Sequence, residues 1–450
     1  MLVNKSKNKK YGNPTVISLF TCGMGMDRGF ELGGFQTVYA NDITKFACET
    51  IRNVKKEEIG KKTLHLDEGN IFDIPSKKIL ENIELEKGEP DLIIGGPPCQ
   101  SFSTAGTRKG LKDERGMAVM EYIKKINEIR PKAFVFENVH GIISMAIDPM
   151  SFYDRIEMND SELRRSQRKG SLFRYIENKF NELKKPKEGI GYTIKHDILN
   201  AADFGIPQNR KRFVMIGIRK DVGNAEEVMD RIKSKAKYAD PKKISTRKDL
   251  QIKAVKYQEI ANKALENNKP EKAENYQRKA DEYKKKAEKL DKKEWRTLKT
   301  LKNKFEGETP EEYVKFSANT MKFLKHIPKK TGGCWIDLPK KLQIEAMGGA
   351  ADTEDPKRKG KQGGRRGFYR RLSWDKPAPT LVTSPTQTGT CMAHPEYDRP
   401  LSVKEYAIIQ GFPTNWKFQG SLADRYRMIG EAVPVKLAMI IAETIHEHIT

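Results

Sequence analysis

Over the first 220 residues, short apolar runs alternate with stretches whose apolar residues recur at helical spacing. Val16–Phe20, Thr37–Ala40, Leu92–Gly95, Ala133–Phe136 and Arg212–Ile218 have the length and composition of strands. Between them, Met117–Ile129 and Leu172–Leu183 read as amphipathic helices. Strand–helix alternation of this kind predicts an α/β domain, a mostly parallel sheet with helices on both faces. In such sheets ligands bind just past the carboxyl ends of the strands.

The pattern changes near residue 220. Asp249–Glu266 and Glu271–Leu290 read as two helices split by Asn267-Asn268-Lys269-Pro270. Tyr276, Ala280, Tyr283, Ala287 and Leu290 form a stripe on the second helix, which the spacing pairs with Tyr257, Ala261 and Leu265 of the first. The expected product is a helical hairpin with a basic exterior. From Pro241 to Lys304 there are 21 Lys or Arg against 10 Asp or Glu, which fits either a solvated insertion or a DNA-backbone contact. Gly348–Arg371 is rich in Gly, Lys and Arg and reads as a loop that orders on binding a partner. Folded texture returns at Pro379–Thr383, Val403–Gln410 and Val433–His446. The expected organisation is a domain at 14–219, completed by 425–450, and a second, smaller domain at 220–398 with the helical insertion at about 242–304. Residues 399–424 link back to the first domain.

Charge narrows the partners. Lys plus Arg number 85 and Asp plus Glu 61, a formal net charge of +24, so a polyanion is expected. No apolar run approaches the ~18–20 residues that span a bilayer, so no membrane partner is expected. The polar N-terminal stretch has no apolar core of a secretory signal. The five cysteines, Cys22, Cys48, Cys99, Cys334 and Cys391, show no Cys-x-x-Cys spacing and no cluster with His. A reducing compartment without a metal site follows.

Three segments carry the chemistry. Gly95-Gly96-Pro97-Pro98-Cys99-Gln100-Ser101-Phe102-Ser103 follows an apolar run directly, so a strand ends in a Gly/Pro turn that presents a thiol. Glu137-Asn138-Val139 follows the run Ala133–Phe136, and Gln208-Asn209-Arg210-Lys211-Arg212 begins another strand. Each alone has an ordinary structural reading: a buried Cys, a surface acid, a charged strand edge. Together they supply a thiol, an acid and a cation at one sheet edge. Cytosine is a poor carbon nucleophile at C5. Thiolate addition at C6, with an acid at N3 and a donor at O2, makes C5 enamine-like and able to capture an electrophilic methyl group.

At these residues the chain resembles the DNA (cytosine-5)-methyltransferases of bacterial restriction–modification systems. The resemblance runs over Val16–Arg219 and again over Arg371–His446. It implies a Rossmann-like methyltransferase fold with a target-recognition domain, S-adenosylmethionine as cofactor and double-stranded DNA as substrate. Cys99 resembles the family nucleophile and Glu137 the acid facing cytosine N3 and N4. Arg212 resembles the arginine near O2, and Arg210 its supporting neighbour. Ser101 to about Gly116, with Ser101 and Arg115 as DNA contacts, resembles the loop that closes over a flipped base; flipping is expected because C6 cannot be attacked within the stack. The implied partners are DNA and a cognate restriction endonuclease, with the chain acting as a monomer on DNA in the bacterial cytoplasm, at the nucleoid.

The cofactor segments match with departures. Ser18–Asp27 resembles the family's first motif and keeps Phe20, Gly23 and Gly25, but Cys22 and Met24 stand where Gly is usual and Ser18 where Asp is usual. Asp42 fits the acid that holds ribose hydroxyls, usually Glu, and Ile43 the residue that packs on adenine. Asn70 and Ile71 stand in a Gly-Asp-Ile-like motif, and Pro97 closes the set. Glu431 replaces the Asn of a Gly-Asn-x-Val-Pro motif, and a carboxylate cannot donate as an amide does. For DNA reading, the resemblance points to the basic stretch 220–398. Gln362, Arg365 and Arg366 are suited to base edges, and Thr380 matches a Thr-Leu pair near the flipped nucleotide. Two other readings compete. The RNA-methylating branch usually carries Cys-Phe-Thr and a short target region, whereas no Cys here precedes Phe. A DNA-binding protein that has lost catalysis would account for Cys22, Met24 and Glu431, but not for Cys99, Glu137, Arg210 and Arg212.

Overall fold

A computed structural model describes residues 11–98, 114–148, 163–187, 189–288, 292–330, 332–346 and 368–450. Cys99, Ser101, Gln362, Arg365, Arg366 and Leu290 lie outside the described residues, and Arg115 is described only as helical backbone.

Seven strands form the central sheet: β1 (Thr15–Leu19), β2 (Gln36–Asp42), β3 (His65–Glu68), β4 (Leu92–Gly95), β5 (Ala133–Val139), β6 (Tyr192–Asn200) and β7 (Lys211–Arg219). Their order is β3-β2-β1-β4-β5-β7-β6. The first five are mutually parallel, and β7 runs against both of its neighbours. Apolar side chains alternate between the two faces, as the two-residue period of a strand requires. Ile17, Ile93, Phe134, Phe136, Phe213 and Met215 enter one core cluster. Val16, Leu92, Ile94, Val135, Val214 and Ile216 enter the other. A sheet apolar on both sides must be covered twice. Helices α1 (Gly25–Leu32) and α2 (Ala225–Ser234) contribute to the second cluster, while α3 (Glu114–Ile129) and α4 (Ser171–Glu182) cover the first.

Two strands lack a sequence signature. β3 is four residues long at an edge, and β6 carries Lys195, His196 and Asp197 at its centre. Lys195 and Asp197 pair outward with Glu226 and Lys233 of α2, so this polar strand is held partly by ions. β5 also runs further than its apolar core suggests. Pairing with β7 continues to Val139↔Arg212, which places Glu137 inside the strand rather than after it.

The C-terminal helix of the chain, Val435–Ile449, returns to lie against α1. Glycines allow the approach: a Cβ at Gly29 would stand 2.3 Å from the Ala438 Cβ, and one at Gly33 2.4 Å from the Ala442 Cβ.

The basic insertion is a hairpin of α5 (Pro241–Glu266) and α6 (Pro270–Glu288). It begins earlier than the apolar stripe predicts, because the Asp240 side chain caps the Lys242 N–H and Pro241 takes the first helical position. Tyr257, Ala261, Tyr276, Ala280, Tyr283 and Ala287 do meet in the seam, joined by reciprocal Gln258–Gln277 hydrogen bonds. Leu265 is not in it: the side chain is 60% exposed. Near the turn the buried positions are taken by the small residues Ala261 and Ala273.

Candidate active site

The sheet edge where β1, β2, β4 and β5 end surrounds a cavity of about 930 Å³. Phe20, Gly23, Gly25, Asp42, Ile43, Asn70 and Ile71 line one part, Glu137, Arg212 and Thr380 another, and Pro97 lies among the lining residues. Of the candidates with described side chains, Arg210 alone is not in the wall.

Two contacts tie the chemistry-bearing segments together. The Asn138 side-chain amide donates to the Pro97 carbonyl at 2.9 Å, so the turn leading to Cys99 is fastened to the strand that carries Glu137. Arg212 Nε lies 2.8 Å from Glu137 Oε1, and both side chains are almost fully buried. Burial pushes the Glu137 carboxyl up from its ordinary value, and the Arg212 and Arg210 cations oppose that rise. The result is an acid that holds its proton to higher pH than a surface glutamate, beside a fixed donor. A Cβ at Gly96 would sit 3.0 Å from Glu137 Oε2, so a larger residue at the start of the turn would press on the acid.

Arg210 has a different place. It is fully buried, and its guanidinium donates to the carbonyls of Leu381 (2.8 Å), Gly430 (2.6 Å) and Ala432 (2.9 Å). It clamps two remote segments, one at Leu381 and one at Gly430–Ala432, to the start of β7 and reaches the reaction only through them and through its charge. Gln208 acts alongside: its amide donates to Gln410 and its oxygen accepts from the Leu381 N–H. Gln410 in turn donates to the carbonyls of Ile429 and Ala432. Thr380 donates to the Asn209 carbonyl at 2.9 Å, at the cavity rim.

On the cofactor side, Asp42 accepts from the Cys22 N–H (2.8 Å) and from the Thr44 N–H and hydroxyl (2.8 and 2.5 Å). The carboxylate is thereby oriented and keeps acceptor capacity towards the cavity. Ile43 is 63% exposed on the wall, an apolar platform open to a flat ring. The Asn70 oxygen already accepts from the Phe72 N–H and caps the turn that follows. At Gly25 a Cβ would meet the Val433 carbonyl at 2.8 Å. This set fits S-adenosylmethionine in volume, in a hydroxyl-accepting acid and in an apolar shelf.

Sequence reasoning missed several wall residues. Asp27, in the first turn of α1, is buried, lies beside the Ser18 hydroxyl and is pushed up to about 7 by burial. It supplies an acid beside Ser18, where the family motif usually has one. Asn41 donates to the carbonyls of Asp67 and Gly69, joining β2 to the turn that holds Asn70. A polar residue inside an otherwise apolar strand was its signal. Glu431 is paired with Arg427 at 3.2 Å and stands 3.9 Å from the Cys22 sulfur.

Phe20, Cys22 and Met24 all have positive φ (57°, 51° and 61°). This left-handed region costs an L-residue about 1 kcal/mol or more. Met24 compensates by packing into a small cluster with Ala40, Ile51 and Leu64. Cys22 offsets the strain with a partly buried thiol packed against a neighbouring core cluster. Cys22→Gly relieves that strain and should raise stability by about 0.5–1 kcal/mol, visible as a higher midpoint in denaturant. A lower midpoint would show that the thiol packing outweighs the strain.

The comparisons with known proteins agree with this geometry. The model of the family described as C-5 cytosine-specific DNA methylase matches residues 14–149 and 165–447. The chain is 30% identical over 444 residues to the Type II methyltransferase M.PspPI of Psychrobacter, covering 96% of this chain and 78% of the relative. It is 29% identical over 443 residues to M.Sau96I of Staphylococcus aureus, covering 98% and 77%. A solved prophage-encoded DNA modification methyltransferase from E. coli shares the fold, with TM-score 0.52 at 18% identity and coverage of 97% and 99% of the two chains. A family match across nearly the whole chain, on a cavity built from that family's motifs, makes this chain a member of the C-5 cytosine-specific DNA methylases, S-adenosylmethionine-dependent enzymes that act on DNA.

Proposed function

We propose that the chain modifies one short sequence in double-stranded DNA, methylating C5 of a flipped cytosine with Cys99 as nucleophile. The observation that carries this is the Asn138–Pro97 hydrogen bond, which fixes the turn before Cys99 to the Glu137 strand beside Arg212. The Cys99 thiolate adds to C6. Glu137 places its proton at N3, and Arg212 donates to O2, so charge pushed onto the ring is neutralised where it develops. Bound S-adenosylmethionine supplies the electrophilic methyl group. Loss of the C5 proton to water, with the N3 proton returning to Glu137, then expels the thiolate and restores the aromatic ring. Asp42 orients ribose hydroxyls, Ile43 packs on adenine, and Phe20, Gly23, Gly25, Asn70, Ile71 and Pro97 shape the site. Arg210 is a positioning residue. Ser101, Arg115, Gln362, Arg365, Arg366 and Thr380 contact DNA.

The division of labour follows the chain. Residues 14–219, completed by 425–450, catalyse; 220–398 recognise the target; 399–424 connect them. The chain works as a monomer on DNA in the bacterial cytoplasm, at the nucleoid, beside a restriction endonuclease that cuts the same site. Among the described residues no helix is long and apolar enough to cross a membrane, and no group of three or more His, Cys, Asp or Glu could hold a metal ion.

The test is methyl transfer from tritiated S-adenosylmethionine to mixed-sequence duplex DNA, with methylated positions mapped by bisulfite sequencing. One short motif should carry all the 5-methylcytosine. A folded protein that binds duplex DNA yet methylates no cytosine would overturn the catalytic reading in favour of a binding protein.

A further inference from the structure

We infer that the α5–α6 hairpin is a phosphate-binding arm that lies along duplex DNA flanking the target and adds affinity without choosing sequence; this rests on the proposed DNA-methylating function. Its root is firm and well placed. Tyr238–Ala239 pairs with Lys293–Glu294 on either side of the hairpin. The Trp295 indole donates to Asp203 at 2.7 Å, and Arg296 lies over the Tyr238 ring at 5.6 Å. Asp203 belongs to the turn that follows β6. β6 ends where Asn200 pairs with Lys211, next to the Arg212–Val139 pair at the cavity. The arm therefore springs from the sheet edge at which the base must be delivered.

Dimensions and charge fit a duplex. The 26 residues of α5 extend about 39 Å, the rise of roughly eleven base pairs. Between 241 and 288 the arm carries 14 Lys or Arg against 8 Asp or Glu. Part of that charge is held in fixed positions. Tyr257 stacks between Tyr276 (6.2 Å) and Tyr283 (5.5 Å). Lys279 Nζ lies over the Tyr257 and Tyr276 rings at 5.6 and 5.9 Å, and Lys253 over Tyr283 at 5.9 Å; Lys286, over the same ring at 5.7 Å, is also paired with Glu282. Ring faces hold ammonium groups by their quadrupole. A cation already confined loses less freedom when a phosphate arrives. Lysine ammonium groups on a helical rod recognise a row of phosphates and carry no base code. Ile252 and Val255 are also exposed on α5, so a protein partner is the alternative the test must separate.

The experiment compares the full chain with two variants. One replaces 242–287 by a short Gly-Ser linker. The other keeps the hairpin and carries Lys253→Gln, Lys256→Gln, Lys263→Gln, Lys272→Gln and Lys279→Gln, which retains helix-forming residues. Duplex affinity is measured against salt concentration, the protected length by footprinting, and the methylated sequence by bisulfite mapping. The slope of log K against log salt should fall by about 0.9 for each phosphate that the arm no longer neutralises, roughly 2–4 in all. Protection should shorten on one flank by up to about ten base pairs in the deletion, with the methylated motif unchanged. If both variants keep the slope and protected length of a full chain that methylates normally, the inference is overturned and the Ile252–Val255 face becomes a protein-binding surface. A full chain that methylates nothing, but whose salt slope depends on the arm, would support the arm and overturn the enzyme.

Discussion

Cys99→Ala loses at least about 10⁴-fold in methyl transfer while duplex binding stays within a few-fold of the parent. C5 of cytosine does not attack an electrophilic methyl group until C6 has accepted a nucleophile, so removing the thiol removes the route. Cys22, Cys48 and Cys391 cannot stand in. Burial, with the charges of Glu431 and Asp42, pushes the Cys22 thiol well up; burial pushes Cys48 and Cys391 up to about 12. A thiol in such surroundings is protonated at neutral pH and is a weak nucleophile. A duplex containing 5-fluorocytosine gives a second readout. After addition and methyl transfer, fluorine cannot leave as the proton does, so an adduct on the parent protein should survive denaturing electrophoresis and be absent in Cys99→Ala. Transfer by the variant within tenfold of the parent would assign the nucleophile elsewhere.

Local patterns in the sequence revealed only part of this site. Gly95–Cys99, Glu137–Val139 and Gln208–Arg212 are each contiguous, and each follows or opens an apolar run, so their shared sheet edge could be read in advance. What joins them is long-range. Asn138 to Pro97, Arg210 to Leu381, Gly430 and Ala432, and Gln208 to Gln410 span between 41 and 222 positions. No periodicity encodes such bonds. The same limit hid β6, whose central Lys, His and Asp are satisfied by side chains of α2 and α4 rather than by a core. Arg210 and Arg212 lie two apart on one apparent charged edge, yet one is a fully enclosed clamp and the other faces the cavity. The reach of the pairing beyond the apolar core of β5 is the reason Glu137 is rigid. Its backbone is opposite Val214 in a ladder, and a side chain on a strand is placed more closely than one on a loop.

That rigidity gives Glu137→Gln a distinct signature. The amide can still hydrogen-bond the ring edge but has no proton to give N3, so kcat should fall by about 10²–10⁴-fold with duplex affinity little changed. The pH profile separates this from a merely structural loss. Burial raises the Glu137 carboxyl, against the pull of Arg212 and then Arg210. Proton donation from it is complete at low pH and is lost as pH rises through that raised value. The parent rate should therefore show a descending limb above the ordinary glutamate range, and Glu137→Gln should remove that limb while lowering the whole curve. Loss of rate with the limb preserved would place the titrating proton on another group, and Glu137 would then act only by holding Arg212 2.8 Å away at the cavity wall.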